Sequence, residues 1–114
     1  MNERDQSLLE DMLGYASDAI ALLGDRDAPG LANDKRSQYA VIRAVEVVGE
    51  AASKVSEGCR AMYPALPWRQ AVGMRNVLIH GYNSLNLGLL VETVRDHFPP
   101  LVELLESALG EDQE

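Results

Sequence analysis

A chain of 114 residues and 12.5 kDa is enough for one domain with its own core, and 46% hydrophobic with 25% charged residues is a globular balance. The single cysteine excludes an internal disulfide, no apolar run reaches the ~18 residues of a membrane span, and the charged start MNERDQSLLED lacks a signal-peptide block. A net charge of -8 disfavours nonspecific nucleic-acid binding. The expected product is one cytoplasmic domain over residues 1–114 with no membrane partner.

The apolar spacing is helical from the start. Leu8/Leu9, Met12/Leu13, Ala16, Ala19/Ile20 and Leu23 recur at three and four and make one buried stripe. Gly24 then stands where a helix C-terminus wants a residue tolerant of positive φ. The stretch GDRDAPGLAN, residues 24–33, holds two glycines and a proline and predicts a loop. Asp34 is a good N-cap for a second helix reaching Ser56, with Val41, Ile42, Val45, Val48, Ala52 and Val55 as its apolar positions. Gly49 lies inside it and suggests close helix contact; Gly58 is its expected end. Pro64 and Pro67 bracket a turn, and Pro67 suits the first position of a third helix, WRQAVGMRNVLIH. Gly81 stops or loosens that helix. Leu87, Leu90/Val91, Val94 and Phe98 predict a fourth helix. Pro99 and Pro100 should break or kink it before a short fifth helix over Leu101, Leu104/Leu105 and Ala108/Leu109. The tail GEDQE, residues 110–114, is expected to fray.

No stretch alternates like a strand. The fold class is therefore all-α, an antiparallel bundle of four to five helices with short connections. Extra apolar positions on the first two helices suit a dimer, or simply more core. Charge is uneven along the chain. Residues 35–75 hold seven basic residues against three acidic, a net of +4, while the remainder carries -12. A positive surface on an acidic body is one reading of this; charges scattered over solvated faces are the other.

Several chemistries are set aside. No glycine-rich phosphate loop precedes a lysine, and Cys59 has no partner for a zinc ribbon. Glu92, Asp96 and His97 share part of a helix face, where a solvated charged surface is the ordinary reading. Ser53 and Ser56 have no adjacent base. No metal and no cofactor is expected.

What remains is MRNVLIHGYN, residues 74–83, with Arg75, Asn76, His80 and Tyr82 at a helix end. Asn76 and His80 lie one turn apart on one face, and Arg75 is about 140° from His80 around an ideal helix. The set suits a phosphodiester. Arg75 offers an always-charged donor fork that matches phosphate oxygens. His80 can exchange protons near neutral pH, and a helix C-terminus favours its imidazolium. Asn76 could fix the imidazole tautomer, and Tyr82 adds a hydroxyl. Each also has a structural reading: a helix-end histidine, an arginine paired with Glu46 or Glu50, a packed tyrosine, a surface asparagine.

The run WRQAVGMRNVLIHGY, with VIRAVEVVGEAASKVS and YPALPW upstream of it, resembles the HepT-like branch of the HEPN superfamily. Its signature is an arginine, a polar residue, a histidine a few positions on, then x-Tyr: here Arg75, Asn76, His80 and Tyr82. The match runs from Leu8 to about Leu105. The resemblance implies an all-α bundle that forms a homodimer, with two copies of the motif helix facing one cleft. It implies a metal-independent ribonuclease toxin whose partner is a minimal nucleotidyltransferase antitoxin. By position, Arg75 and His80 would be catalytic, Asn76 supporting, and Tyr82 the residue silenced by AMP. The chain departs from the family after the tyrosine, where NSLNLG stands, and Asn86 and Gly88 occupy positions often charged.

RNA carries its own nucleophile, because a 2′-hydroxyl can attack the adjacent phosphorus. The catalyst must take that proton, stabilise the phosphoryl oxygens and protonate the leaving 5′-oxygen. A symmetric dimer would supply two histidines and two arginines. Arg43, Lys54, Arg60 and Arg69 are the candidates for a positive RNA-facing rim. The competing expectation is a non-catalytic helical module that docks a nucleotidyltransferase.

Overall fold

The computed structural model describes residues 1–80 and 86–113, of which 75–80 and 112–113 are described by backbone alone. Among the described residues every regular element is helical: α1 (Glu3–Leu23), α2 (Ala28–Ala32), α3 (Lys35–Lys54), α4 (Glu57–Met62), α5 (Trp68–His80), α6 (Leu87–Glu92), a π-helical turn (Thr93–His97) and α7 (Phe98–Gln113). The all-α bundle expected from the periodicity is what forms.

Local chemistry sets the helix ends. Asn2 caps α1 by accepting from the Asp5 N–H at 2.7 Å. Gly24 closes it at φ 58°, a backbone that favours glycine. Asp34 caps α3 as expected, accepting from the N–H and hydroxyl of Ser37. Those two bonds, the hydroxyl first, and then Arg26 hold the Asp34 carboxyl below its usual range.

Three expectations change. The stretch 24–33 is not all loop, because Asp27 accepts from Gly30 N–H and nucleates α2 with Pro29 in its first turn. Gly58 does not end α3. Val55 leaves helical geometry, Ser56 caps a new short helix, and Gly58 lies inside α4. Pro99 and Pro100 do not split the last helix from its predecessor. Their rings would collide with carbonyls four residues back, and they carry no amide hydrogen. The chain meets this with the π turn, in which Phe98 N–H reaches the Thr93 carbonyl, and the prolines then fall in the first turn of α7. That helix continues through Gly110 to Gln113, where a frayed tail is expected.

Packing follows from the stripes. Leu9, Met12, Ala16, Ala19 and Leu23 of α1 meet Val41, Ala44, Val45, Val48 and Ala52 of α3 in one core. Helices α1 and α3 form the central pair; α5 lies against α3, and α7 against α1. Small buried residues such as Ala16, Ala19, Ala44 and Ala52 leave room for that pair to pack. The connection from α1 to α3 is held by two arginines. Arg26 donates to the Leu22 and Leu23 carbonyls that end α1 and pairs with Asp34, and Arg95 donates to the carbonyls of Gly24 and Arg26.

Among the described residues Asp5 is the buried charged one, 3% exposed. Its carboxylate accepts from the Ser56 N–H at 3.0 Å and the Ser56 hydroxyl at 2.6 Å, joining the start of α1 to the cap of α4. The Ser56 backbone bond, followed by the hydroxyl bond, pulls the Asp5 carboxyl below its usual 3.8. A depressed folded value stabilises the fold above the unfolded value, and that advantage disappears as pH falls through the folded one. Asp5→Asn is therefore expected to cost about 1–3 kcal/mol at neutral pH, with the gap closing below pH 3.8. Urea unfolding at a series of pH values checks this. A gap that is constant with pH would mean that the carboxylate charge is not what Ser56 holds.

Candidate active site on the motif helix

The start of helix α5 is fixed by contacts of its first two turns. Pro67 supplies the carbonyl that accepts from Ala71 N–H at 2.9 Å, so the proline stands just outside the first turn. Ala71 is buried against the core, with Trp68, Val72 and Met74 partly covered. The Trp68 indole N–H donates to the Tyr63 carbonyl at 3.0 Å. That bond closes the YPALP turn over the start of the helix, with Leu66 buried beneath it.

Arg75, Asn76 and His80 all stand in α5, whose described backbone ends at His80. In an ideal α-helix this spacing sets Asn76 and His80 a turn apart and Arg75 about 140° round from His80. His80 is the last residue of the described helix. Tyr82 and Gly81 lie outside the described residues, and the side chains of Arg75, Asn76 and His80 do as well. Asn86 has a local task. Its side chain accepts from Leu89 N–H at 3.0 Å and caps α6.

The four rim candidates separate. Arg43 and Lys54 are exposed on α3, and eleven residues of helix put them on nearly the same face. Each faces a glutamate of its own helix: Arg43 lies 3.4 Å from Glu46, and Lys54 3.7 Å from Glu50. Exposed pairs of this kind are weak and can be given up to a phosphate. Arg69 is exposed on the first turn of α5. Arg60 is different. One terminal nitrogen donates to the Ala52 carbonyl at 2.8 Å, and its guanidinium carbon lies 5.8 Å from the centre of the Trp68 ring. It is committed to the fold rather than presented as a rim.

The bundle is electrically two-sided. Helices α3 and α5 carry six basic residues against two acidic; α1 and the α6–α7 rod carry eleven acidic against two basic. The packing order therefore puts the net positive helices together on the side that holds the motif. Glu92, Asp96 and His97 form no metal-ligand cluster, and among the described residues no three His, Cys, Asp or Glu are so grouped. Among those residues, too, no helix is long and apolar enough to cross a membrane.

What periodicity does not reveal is the arginine and tryptophan clamp. Its signal is present in YPALPW, where a tryptophan directly after a turn-forming proline needs a partner for its N–H.

Comparison with known proteins bears on the same segment. The family model described as Ribonuclease HepT-like matches residues 12–108, which includes all of α5 and the run to Tyr82. The chain is 37% identical over 107 residues to "Putative RNase MJ1380" of Methanocaldococcus jannaschii, covering 93% of this chain and 98% of that one. It is 35% identical over 115 residues to "Putative RNase MJ0125" of the same organism, covering 100% and 99%. With "Probable ribonuclease HepT" of Thermococcus cleftensis it shares 40% identity over 68 residues, 60% of this chain and 62% of that protein. No solved structure matches the chain. A match across most of the helical core and the whole motif helix settles the kinship: this chain belongs to the HepT-like ribonuclease family.

Proposed function

We propose that the chain is a metal-independent endoribonuclease toxin, active as a homodimer and silenced by AMP attached to Tyr82 by a cognate nucleotidyltransferase antitoxin. The observation that carries this is the family match over residues 12–108, which spans the helix that holds Arg75, Asn76 and His80. The net positive character of α3 and α5 supports it, because it gives an acidic protein one side that an RNA strand can approach.

The chemistry balances without an added ion. The 2′-oxygen forms a bond to phosphorus, and the bond from phosphorus to the 5′-oxygen breaks. One proton leaves the 2′-hydroxyl for a base, and one reaches the 5′-oxygen from an acid. The product ends in a 2′,3′-cyclic phosphate. His80 carries the protons, Arg75 holds the phosphoryl oxygens, and Asn76 orients the imidazole. Acid and base are needed together, and each chain has one motif histidine. A dimer that faces two α5 ends across one groove meets that need. Arg43, Lys54 and Arg69 form the rim.

The test is purified chain with total RNA in EDTA, beside Arg75→Ala. Cleavage by the unaltered chain alone, leaving cyclic phosphate ends, is the expected result. Cleavage by neither would favour a binding module that docks a nucleotidyltransferase.

AMP on Tyr82 would add bulk and negative charge two residues from His80 and repel an RNA phosphate. Tyr82→Phe is expected to cut RNA at a rate within about twofold of the unaltered chain, since the tyrosine hydroxyl takes no proton in this scheme. The variant should also resist the antitoxin completely. Mass spectrometry after incubation with the antitoxin and ATP reads this directly. A Tyr82→Phe variant that still gains AMP would move the target elsewhere.

A further inference from the structure

We propose that Arg60 is a positioning residue of the active helix. Its guanidinium ties the C-terminal end of α3 to the first residue of α5 and so fixes where Arg75 and His80 come to lie. The proposal rests on the reading of α5 as the catalytic helix.

Three elements meet at this side chain. Arg60 stands on α4, donates to Ala52 in the last turn of α3, and covers the ring of Trp68, the first residue of α5. Trp68 is fixed independently by its bond to Tyr63, and the Tyr63 N–H reaches back to the carbonyls of Cys59 and Arg60. The result is a closed loop of contacts around the α4 to α5 turn. The Arg60 Nε is buried and has no hydrogen-bond partner among the described residues. An arginine free to turn outward would put that N–H in water. The inward rotamer is held by the carbonyl and the ring.

The geometry makes this clamp consequential. Helix α5 packs chiefly against α3. From Trp68 to His80 the helix is about 18 Å long. A tilt of about 3° at the clamped end therefore moves the far end by about 1 Å. Misplacement by about 1 Å can cost on the order of 100-fold in rate. A phosphate contact by Arg60 would instead act through binding and salt.

Trp68 is the only tryptophan, so its fluorescence reports the clamp without a label. The experiment compares the unaltered chain with Arg60→Met and Arg60→Lys. For Arg60→Met the expected results are red-shifted and more quenchable Trp68 emission, faster amide exchange in α5 but not in α1, and kcat lower by about 10- to 100-fold. KM should stay within about twofold. Arg60→Lys keeps a donor for Ala52 and should recover part of the rate. Raised KM with a shallower salt dependence, and unmoved Trp68 emission, would make Arg60 an RNA contact and overturn the proposal. A lower melting temperature with unchanged kcat and emission would reduce it to general stability and overturn it equally. If the unaltered chain cuts no RNA, the ribonuclease reading fails. Emission and α5 exchange then still decide the clamp, and no change in either overturns it.

Discussion

His80→Ala is expected to lower the rate of RNA cleavage by about 10²–10⁴-fold, with little change in RNA binding at low salt. The argument is one of protons. The attacking hydroxyl is a poor nucleophile until its proton leaves, and the 5′-oxygen is a poor leaving group until one arrives. Histidine is the side chain whose ordinary titration lies near neutral pH, and the motif helix contains one. If partner chains contribute one base and one acid, cleavage should show a bell-shaped pH profile. Arg75→Lys keeps the charge but loses the planar fork, and should cost about 10²–10³-fold. The helical circular-dichroism signal of both variants, compared with that of the unaltered chain, separates a lost catalytic group from a lost fold. Rates measured in EDTA, with and without added Mg²⁺, complete the test. A His80→Ala chain that cuts at full rate, or cleavage that needs the added ion, would rule out the proton scheme.

Much of the fold is legible in the sequence because it rests on spacing. The stripes of α1 and α3 repeat at three and four, and most of the residues they name are buried, with Leu8, Leu13, Ile20 and Ile42 partly covered at the edges. Asp34 and Gly24 mark their helix ends by local chemistry that tertiary packing does not override. The short helices are not legible. In α2 and α4, five and six residues are too few to show a period, and each depends on one capping side chain. The Asp5 and Ser56 bond joins residues 51 apart in sequence, and no local pattern announces it. The π turn is half legible. Two prolines signal trouble for a helix but not whether the chain will kink or widen. For the site, Arg75, Asn76 and His80 are in one helix as expected. Arg60 shows the limit of residue type as a guide. A cation in a basic segment suggests a group facing RNA, while its environment, a helix-end carbonyl and an indole ring, turns it inward.

Phe98→Ala is expected to destabilise the protein by about 3–5 kcal/mol. Phe98 is the only phenylalanine, fully buried, and stands where the π turn passes into α7. Both of these elements pack on α1. Removing the ring therefore opens a void at the junction of three segments, and a turn already widened to admit Pro99 and Pro100 has little room to close it. The neighbours that would have to move, Val94 and Leu101, are themselves buried and tied to the same backbone. Total stabilities of small domains are about 5–15 kcal/mol, so the loss is large enough to leave the variant partly unfolded on warming. Phe98→Leu keeps most of the volume and should cost under about 1.5 kcal/mol. Urea unfolding of the three chains gives the comparison. Because α7 lies against α1 and α5 against α3, the folded fraction of Phe98→Ala should still cut RNA at the normal rate. A loss below about 1 kcal/mol would show that the void refills. Slow cleavage by fully folded protein would instead show that the two sides of the bundle are coupled through the central pair.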